Sequence, residues 1–89
     1  MFEDLRKLSH REIQLVLRDV DAATLILALT TASEELTNRV LANMGNRAAM
    51  VVRDEVASLG SPPASEVEQA QQKMLHVYHT LAGSGPPER

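Results

Sequence analysis

Val67, Ala70, Met74, Val77, Tyr78 and Leu81 recur at the spacing that places them along one side of an α-helix. A helix with so continuous an apolar stripe must bury it, and the remainder of the chain has to supply the opposing surface. What it supplies is more helix. Nowhere do β-branched residues alternate with polar ones over the length of a strand, so no sheet is called for and the sequence predicts an all-α fold.

Start and stop signals divide the chain into short pieces. Ser9-His10-Arg11-Glu12 fits a capping box, and the helix it opens runs to about Asp19 with Ile13, Val16, Leu17 and Val20 on its inner side. Asp21 caps the next helix, whose Leu25, Ile26, Leu27, Ala28 and Leu29 are nearly continuous and predict a largely buried central element. Ser33 followed by Glu34 and Glu35 starts another, with the acids at the positive end of the helix dipole and Leu36, Val40, Leu41 and Met44 facing inward. A further helix fills residues 45–60, with Ala48, Val51, Val52, Val56 and Leu59 assigned to its inner face and Gly60 to a left-handed C-terminal cap. Ser61-Pro62-Pro63-Ala64 stops it, because proline lacks an amide donor and disfavours helical geometry in the residue before it. Ser65-Glu66-Val67-Glu68 reads as a second capping box opening the last helix. Residues 83–89 offer no apolar anchor and are expected to form a disordered tail after a single domain spanning residues 1–82.

Composition narrows the function classes. With 89 residues the chain is one small domain, and with no cysteine it has neither disulfides nor thiolate metal ligands, which suits a reducing compartment. A net charge of −3 argues against a face built to neutralise phosphates, and Phe2 and Tyr78, the only aromatic residues, are too few to stack bases. No apolar run approaches the roughly 20 residues that span a bilayer, and the opening Phe-Glu-Asp lacks the features of a secretory signal. His76 and His79 lie one helical turn apart, acceptable for two metal ligands, but His10 is distant and no third ligand suggests itself. Phosphate-binding glycine loops and nucleophile elbows are absent, so neither cofactor nor enzymatic activity is expected.

The helix in residues 45–60 carries the feature with the most functional content. Arg47 and Asp54 are two turns apart on one side, roughly 10 Å along the axis, and Glu55 sits beside Asp54. One end of this outer ridge is positive and the other negative, a pattern that a partner helix of opposite polarity matches. The plain alternative is a face charged only for solubility.

Several stretches bear a family resemblance. Phe2-Glu3-Asp4-Leu5, Arg11-Glu12-Ile13-Gln14, Leu17-Arg18-Asp19-Val20-Asp21 and Ala28-Leu29 resemble the opening of the C-terminal domain of the flagellar motor switch protein FliG. Ala32-Ser33-Glu34-Glu35-Leu36, Asn43-Met44, Arg47-Ala48-Ala49 and Val52-Arg53-Asp54-Glu55 resemble the family's segment leading into its charged helix, and Leu59-Gly60, Val67-Glu68 and Ala70-Gln71 continue the match. The similarity runs in register from residue 2 to residue 82. It implies a compact bundle of about six short helices, the last domain of a rotor protein whose earlier armadillo-like domains form a ring and bind FliF and FliM. It further implies a place at the cytoplasmic face of the flagellar basal body, and a charged helix facing the cytoplasmic loop of the stator subunit MotA to transmit torque.

Arg47, Asp54 and Glu55 fall on three of the family's charged positions, and Arg39 and Arg53 are further positive charges nearby. Where the family has Lys-Gly after Ala-Leu this chain has Thr30-Thr31, and where it has Gly-Pro-Val-Arg this chain has Gly60-Ser61-Pro62-Pro63. Two basic residues of the charged set are thus replaced. Gly45 stands where a serine usually caps the ridge helix, and Met50 takes a place that is usually polar. The family's hinge to the preceding domain, Met-Phe-x-Phe, is represented by Phe2, which is expected to pack on this domain's own helices. The alternative implied by the departures is a divergent paralogue that keeps the fold as a structural or regulatory interaction module without passing torque.

Overall fold

The structure is a computed structural model, and residues 2–83 are described. A 3-10 helix, Phe2–Lys7, is followed by α1 (His10–Arg18), α2 (Ala22–Leu29), α3 (Glu34–Leu41), α4 (Asn46–Leu59) and α5 (Ala64–Gly83). No strand occurs among the described residues. The all-α expectation is met with six helical elements.

Local chemistry sets most of the boundaries. Ser9 Oγ accepts from the Glu12 amide at 3.1 Å while the Ser9 amide donates to Glu12 Oε1 at 2.9 Å, the reciprocal box read from the sequence. Ser33 caps α3 through a bond from the Leu36 amide at 3.1 Å. Asp21 stands at the N-terminus of α2 without a side-chain bond to the backbone there. Its carboxyl is instead held below the usual carboxylate range, chiefly by hydrogen bonding to the Thr24 side chain.

The last helix departs from the predicted start. It begins at Ala64, with the Pro63 carbonyl accepting from the amides of Glu66 and Val67, so Ser65 falls inside the first turn instead of at the cap. Proline cannot donate, but the residue just before a helix needs only to accept, and the Pro63 carbonyl does so ahead of the serine two residues on. The helix continues through Gly83. The rest of the tail expected there, residues 84–89, lies outside the described residues.

α2 lies at the centre, packed on α5 and on α4, while α5 also touches α1 and the 3-10 helix, and α3 sits against the 3-10 helix. Thr24, Leu25, Ala28 and Leu29 of α2 are buried, although Ile26 and Leu27 are only half-buried. Around them gather Ile13 and Val16 of α1, Leu36, Val40 and Leu41 of α3, and Ala70 and Met74 of α5. Val67 is buried as well, and Val77, Tyr78 and Leu81 are half-buried along the same stripe, as its spacing predicts. Phe2, Leu5 and Leu8 are buried in this same core, which places Phe2 on the domain's own helices.

Candidate partner-binding ridge

α4 is built differently from its neighbours. Of its fourteen residues, Asn46–Leu59, the single buried one is Val52. Ala49 and Val56 are half-buried on the same side, which makes the inner face a narrow seam against α2. The sequence assigned Ala48, Val51 and Leu59 to that face as well, and the structure corrects this: all three are exposed. Apolarity alone cannot fix burial where a helix has its main neighbour on one side, since residues a third of a turn from the seam find nothing to pack on.

Arg47, Asp54 and Glu55 are exposed, and none of them makes an ion pair or side-chain hydrogen bond among the described residues. Their side chains are therefore available to an approaching surface. The helix that carries them is weakly capped, since Gly45 offers no side-chain acceptor and only its carbonyl takes up the Ala49 amide, at 2.9 Å. At the other end Gly60 has φ 64° and ψ −111°, positive as anticipated for a helix stop but outside the left-handed helical region that was expected.

The other two arginines are engaged within the domain. Arg39 is half-buried and donates through Nε and Nη2 to the Leu8 carbonyl at 3.1 and 2.7 Å, tying α3 to the residue that joins the 3-10 helix to α1. Arg53 donates through Nη2 to Asn38 Oδ1 at 2.9 Å, bridging α4 to α3. Sequence reasoning missed both ties, because neither the Leu8 carbonyl nor Asn38 announces itself at a distance along the chain.

Thr30 and Thr31 are likewise occupied. Thr30 Oγ1 donates to the Leu27 carbonyl at 2.7 Å, and Thr31 Oγ1 accepts from Gln71 Nε2 at 2.9 Å while Gln71 also reaches the Ala28 carbonyl at 3.0 Å. The turn after α2 is thus stapled to α5.

The histidines have different surroundings. His10 Nδ1 lies 3.2 Å from Asn43 Oδ1, His79 stacks at a tilt on Tyr78 with ring centroids 5.5 Å apart, and His76 borders an open cleft of about 500 Å³ shared with Asp19, Asp21 and Lys73. No group of three or more metal-ligating side chains suited to an ion occurs among the described residues.

The family model of the FliG C-terminal domain matches residues 1–86. The chain belongs to that family. It is 45% identical over 85 residues to the flagellar motor switch protein FliG of Thermotoga maritima, covering 96% of this chain and 25% of that protein. The FliG of Aquifex aeolicus is 38% identical over 87 residues, covering 98% of this chain and 26% of that one. The fold agrees. The crystal structure of FliG residues 86–343 from H. pylori superposes with a TM-score of 0.90 at 36% identity, over 94% of this chain and 40% of that one. The structure of full-length FliG from Aquifex aeolicus gives 0.89 at 38% identity, over 98% and 27%. The chain spans about a quarter of the length of the curated FliG relatives it matches. No helix among the described residues is long and apolar enough to cross a membrane.

Proposed function

We propose that this domain is the stator-facing module of a flagellar rotor, and that α4 is the element that meets the stator. The observation that carries the reading is the state of Arg47, Asp54 and Glu55: exposed, oppositely charged at the two ends of one face, and without partners among the described residues. The complementary surface is the cytoplasmic loop of a MotA-type stator subunit, an approach guided by charge. Arg39 and Arg53 act mainly as ties that hold α3 and α4 in place, and contribute positive charge from behind the ridge. In a full-length rotor protein Phe2 anchors the segment that leads to a preceding armadillo-like domain, and other switch proteins such as FliM complete the assembly at the cytoplasmic face of the inner membrane. Neither nucleic-acid binding nor membrane insertion has a place in this reading, nor has catalysis.

Individual exposed ion pairs are worth about 0 to 1 kcal/mol, so recognition by such a ridge is weak per contact, reversible and salt-sensitive. Reversing Arg47→Glu is expected to weaken binding of the domain to a purified stator loop several-fold at low salt, with the difference shrinking as salt rises. Binding indifferent to both the reversal and the salt would sink the proposal.

A second reading is favoured by the occupied threonines. Thr30 and Thr31 stand where the resembling family has Lys-Gly, and both hydroxyls serve internal hydrogen bonds. Pro63 stands where it has an arginine, and its carbonyl starts α5. A domain so altered could serve as a structural or regulatory module that docks without passing torque. Grafting it into a full-length rotor protein in a non-motile deletion strain separates the two. Rotation by the unmodified graft supports torque transfer, whereas normal ring assembly with rotation only after Thr30→Lys and Pro63→Arg supports the regulatory reading.

A further inference from the structure

The large hydrophobic side chains left exposed among the described residues are Met50, Val51 and Leu59, at 66%, 54% and 43%, and all three belong to α4. Single exposed apolar residues need no explanation, but this clustering on one helix is a different matter. Two of the three occupy a particular place. Met50 is three residues after Arg47 and four before Asp54, while Val51 is four after Arg47 and four before Glu55, so each lies one turn from a charge on either side. The outward face therefore reads positive, apolar, negative over two turns, roughly 10 Å.

We propose that Met50 and Val51 form an apolar anchor at the centre of the ridge, and that its occupant is a helix of the partner protein bearing an aliphatic or methionine side chain between an acidic and a basic residue. The proposal rests on the reading of α4 as the stator-facing surface and states what the partner must present there. Charge complementarity fixes the polarity of the partner: its acid faces Arg47 and its base faces Asp54 and Glu55. Spacing selects a helix, because side chains at i, i+3 or i+4, and i+7 project along one face over the same two turns. The apolar pair then supplies what exposed charges cannot, a contact that excludes water and outlasts salt screening.

A second copy of this chain is the competing occupant. Antiparallel pairing of two α4 helices would set Arg47 against Asp54 and Met50 against Val51, an isologous match. Two domains each carrying a net charge of −3 repel one another, and two turns of one helix, roughly 10 Å long and about 10 Å across, cannot supply the roughly 1,200 Å² or more that a stable dimer buries. A transient contact with a partner of opposite local charge needs no such area.

Titration of the intact chain with a purified MotA-type stator loop tests this, comparing the natural sequence with Arg47→Glu and with the Met50→Ala, Val51→Ala pair at about 0.1 M and 0.5 M salt. Both alanines replace exposed side chains, so folding is not at stake, and circular dichroism checks it. The expected result is about tenfold weaker binding for the alanine pair at either salt concentration, with Arg47→Glu weakening binding mainly at low salt. Loss with Arg47→Glu but none with the alanine pair would overturn the apolar anchor and leave the charged ridge standing. Indifference to all variants would overturn both. A concentration-dependent dimer abolished by the alanine pair, with loop binding unchanged, would assign the patch to a second copy.

Discussion

Glu3 shows how far a single side chain can reach in this fold. Its two carboxylate oxygens accept from the Ser33 amide at 2.9 Å and the Ser33 hydroxyl at 2.7 Å, and that hydroxyl in turn accepts from the Leu36 amide, so Glu3 finishes the cap of a helix thirty residues away. The bond from the Ser33 hydroxyl is the main reason the Glu3 carboxyl sits below its ordinary value of 4.5. A carboxyl depressed in the folded state contributes stability above its unfolded pKa and loses it as the pH falls through the folded one. Glu3→Ala is therefore expected to lower the unfolding free energy by about 1 kcal/mol near pH 7, and by less as the pH drops below 4.5, in urea titrations at a series of pH values. A difference independent of pH would count against the carboxylate as its source. The part played by Glu3 was not legible in the sequence. Ser33 was readable as a cap because its partner is three residues on, whereas Glu3 is brought to it by the packing of Phe2 and Leu5, for which short-range periodicity gives no sign.

At the scale of elements, the two ends of α4 give contrasting predictions. Gly45 has φ −64° and ψ 155°, geometry open to any residue, and a Cβ built there meets nothing within 4 Å. Gly45→Ser should add the missing cap and stabilise by a few tenths of a kcal/mol. Gly60 also has open space around it, but its φ of 64° belongs to glycine. Gly60→Ala should destabilise by about 1 kcal/mol or more through backbone strain alone. Thermal melts of the two variants should move in opposite directions, and a shared direction would contradict this account of the helix ends. Helix existence was legible here because caps, prolines and glycines act locally. The breadth of the buried face was not, since Val51 and Leu59 are as apolar as Val52 and differ only in where α2 happens to lie.

For the whole molecule, burial separates residues of one chemical type. Met74 is 2% exposed in the core where α5 meets α2, whereas Met50 is 66% exposed on α4. Met74→Ala is expected to cost about 2–5 kcal/mol, a large share of the stability of a small domain, and Met50→Ala less than about 0.5 kcal/mol. Urea midpoints should resolve the two easily, and comparable losses would mean that α4 is packed more deeply than described. The stripe of α5 and the apolar run of α2 disclosed the core because each repeats one signal many times. The ridge was disclosed by charge spacing, and its apolar centre emerged only once Val51 was seen to lie outside.

The same sparse seam has a mechanical side. α4 is fastened along its inner side by Val52 sunk against α2, by Ala49 and Val56 half-buried to either side of it, and by Arg53 hooked to Asn38. Along the chain Asp54 falls between Val52 and Val56, whereas Arg47 lies about 3 Å along the axis beyond Ala49, where the seam ends. A force applied crosswise at Asp54 thus acts between two fastenings and is passed inward as shear, while the same force at Arg47 acts beyond the last of them and tips the weakly capped end of the helix. Two charges that look symmetrical on the surface are, for a dragging load, a grip and a tiller.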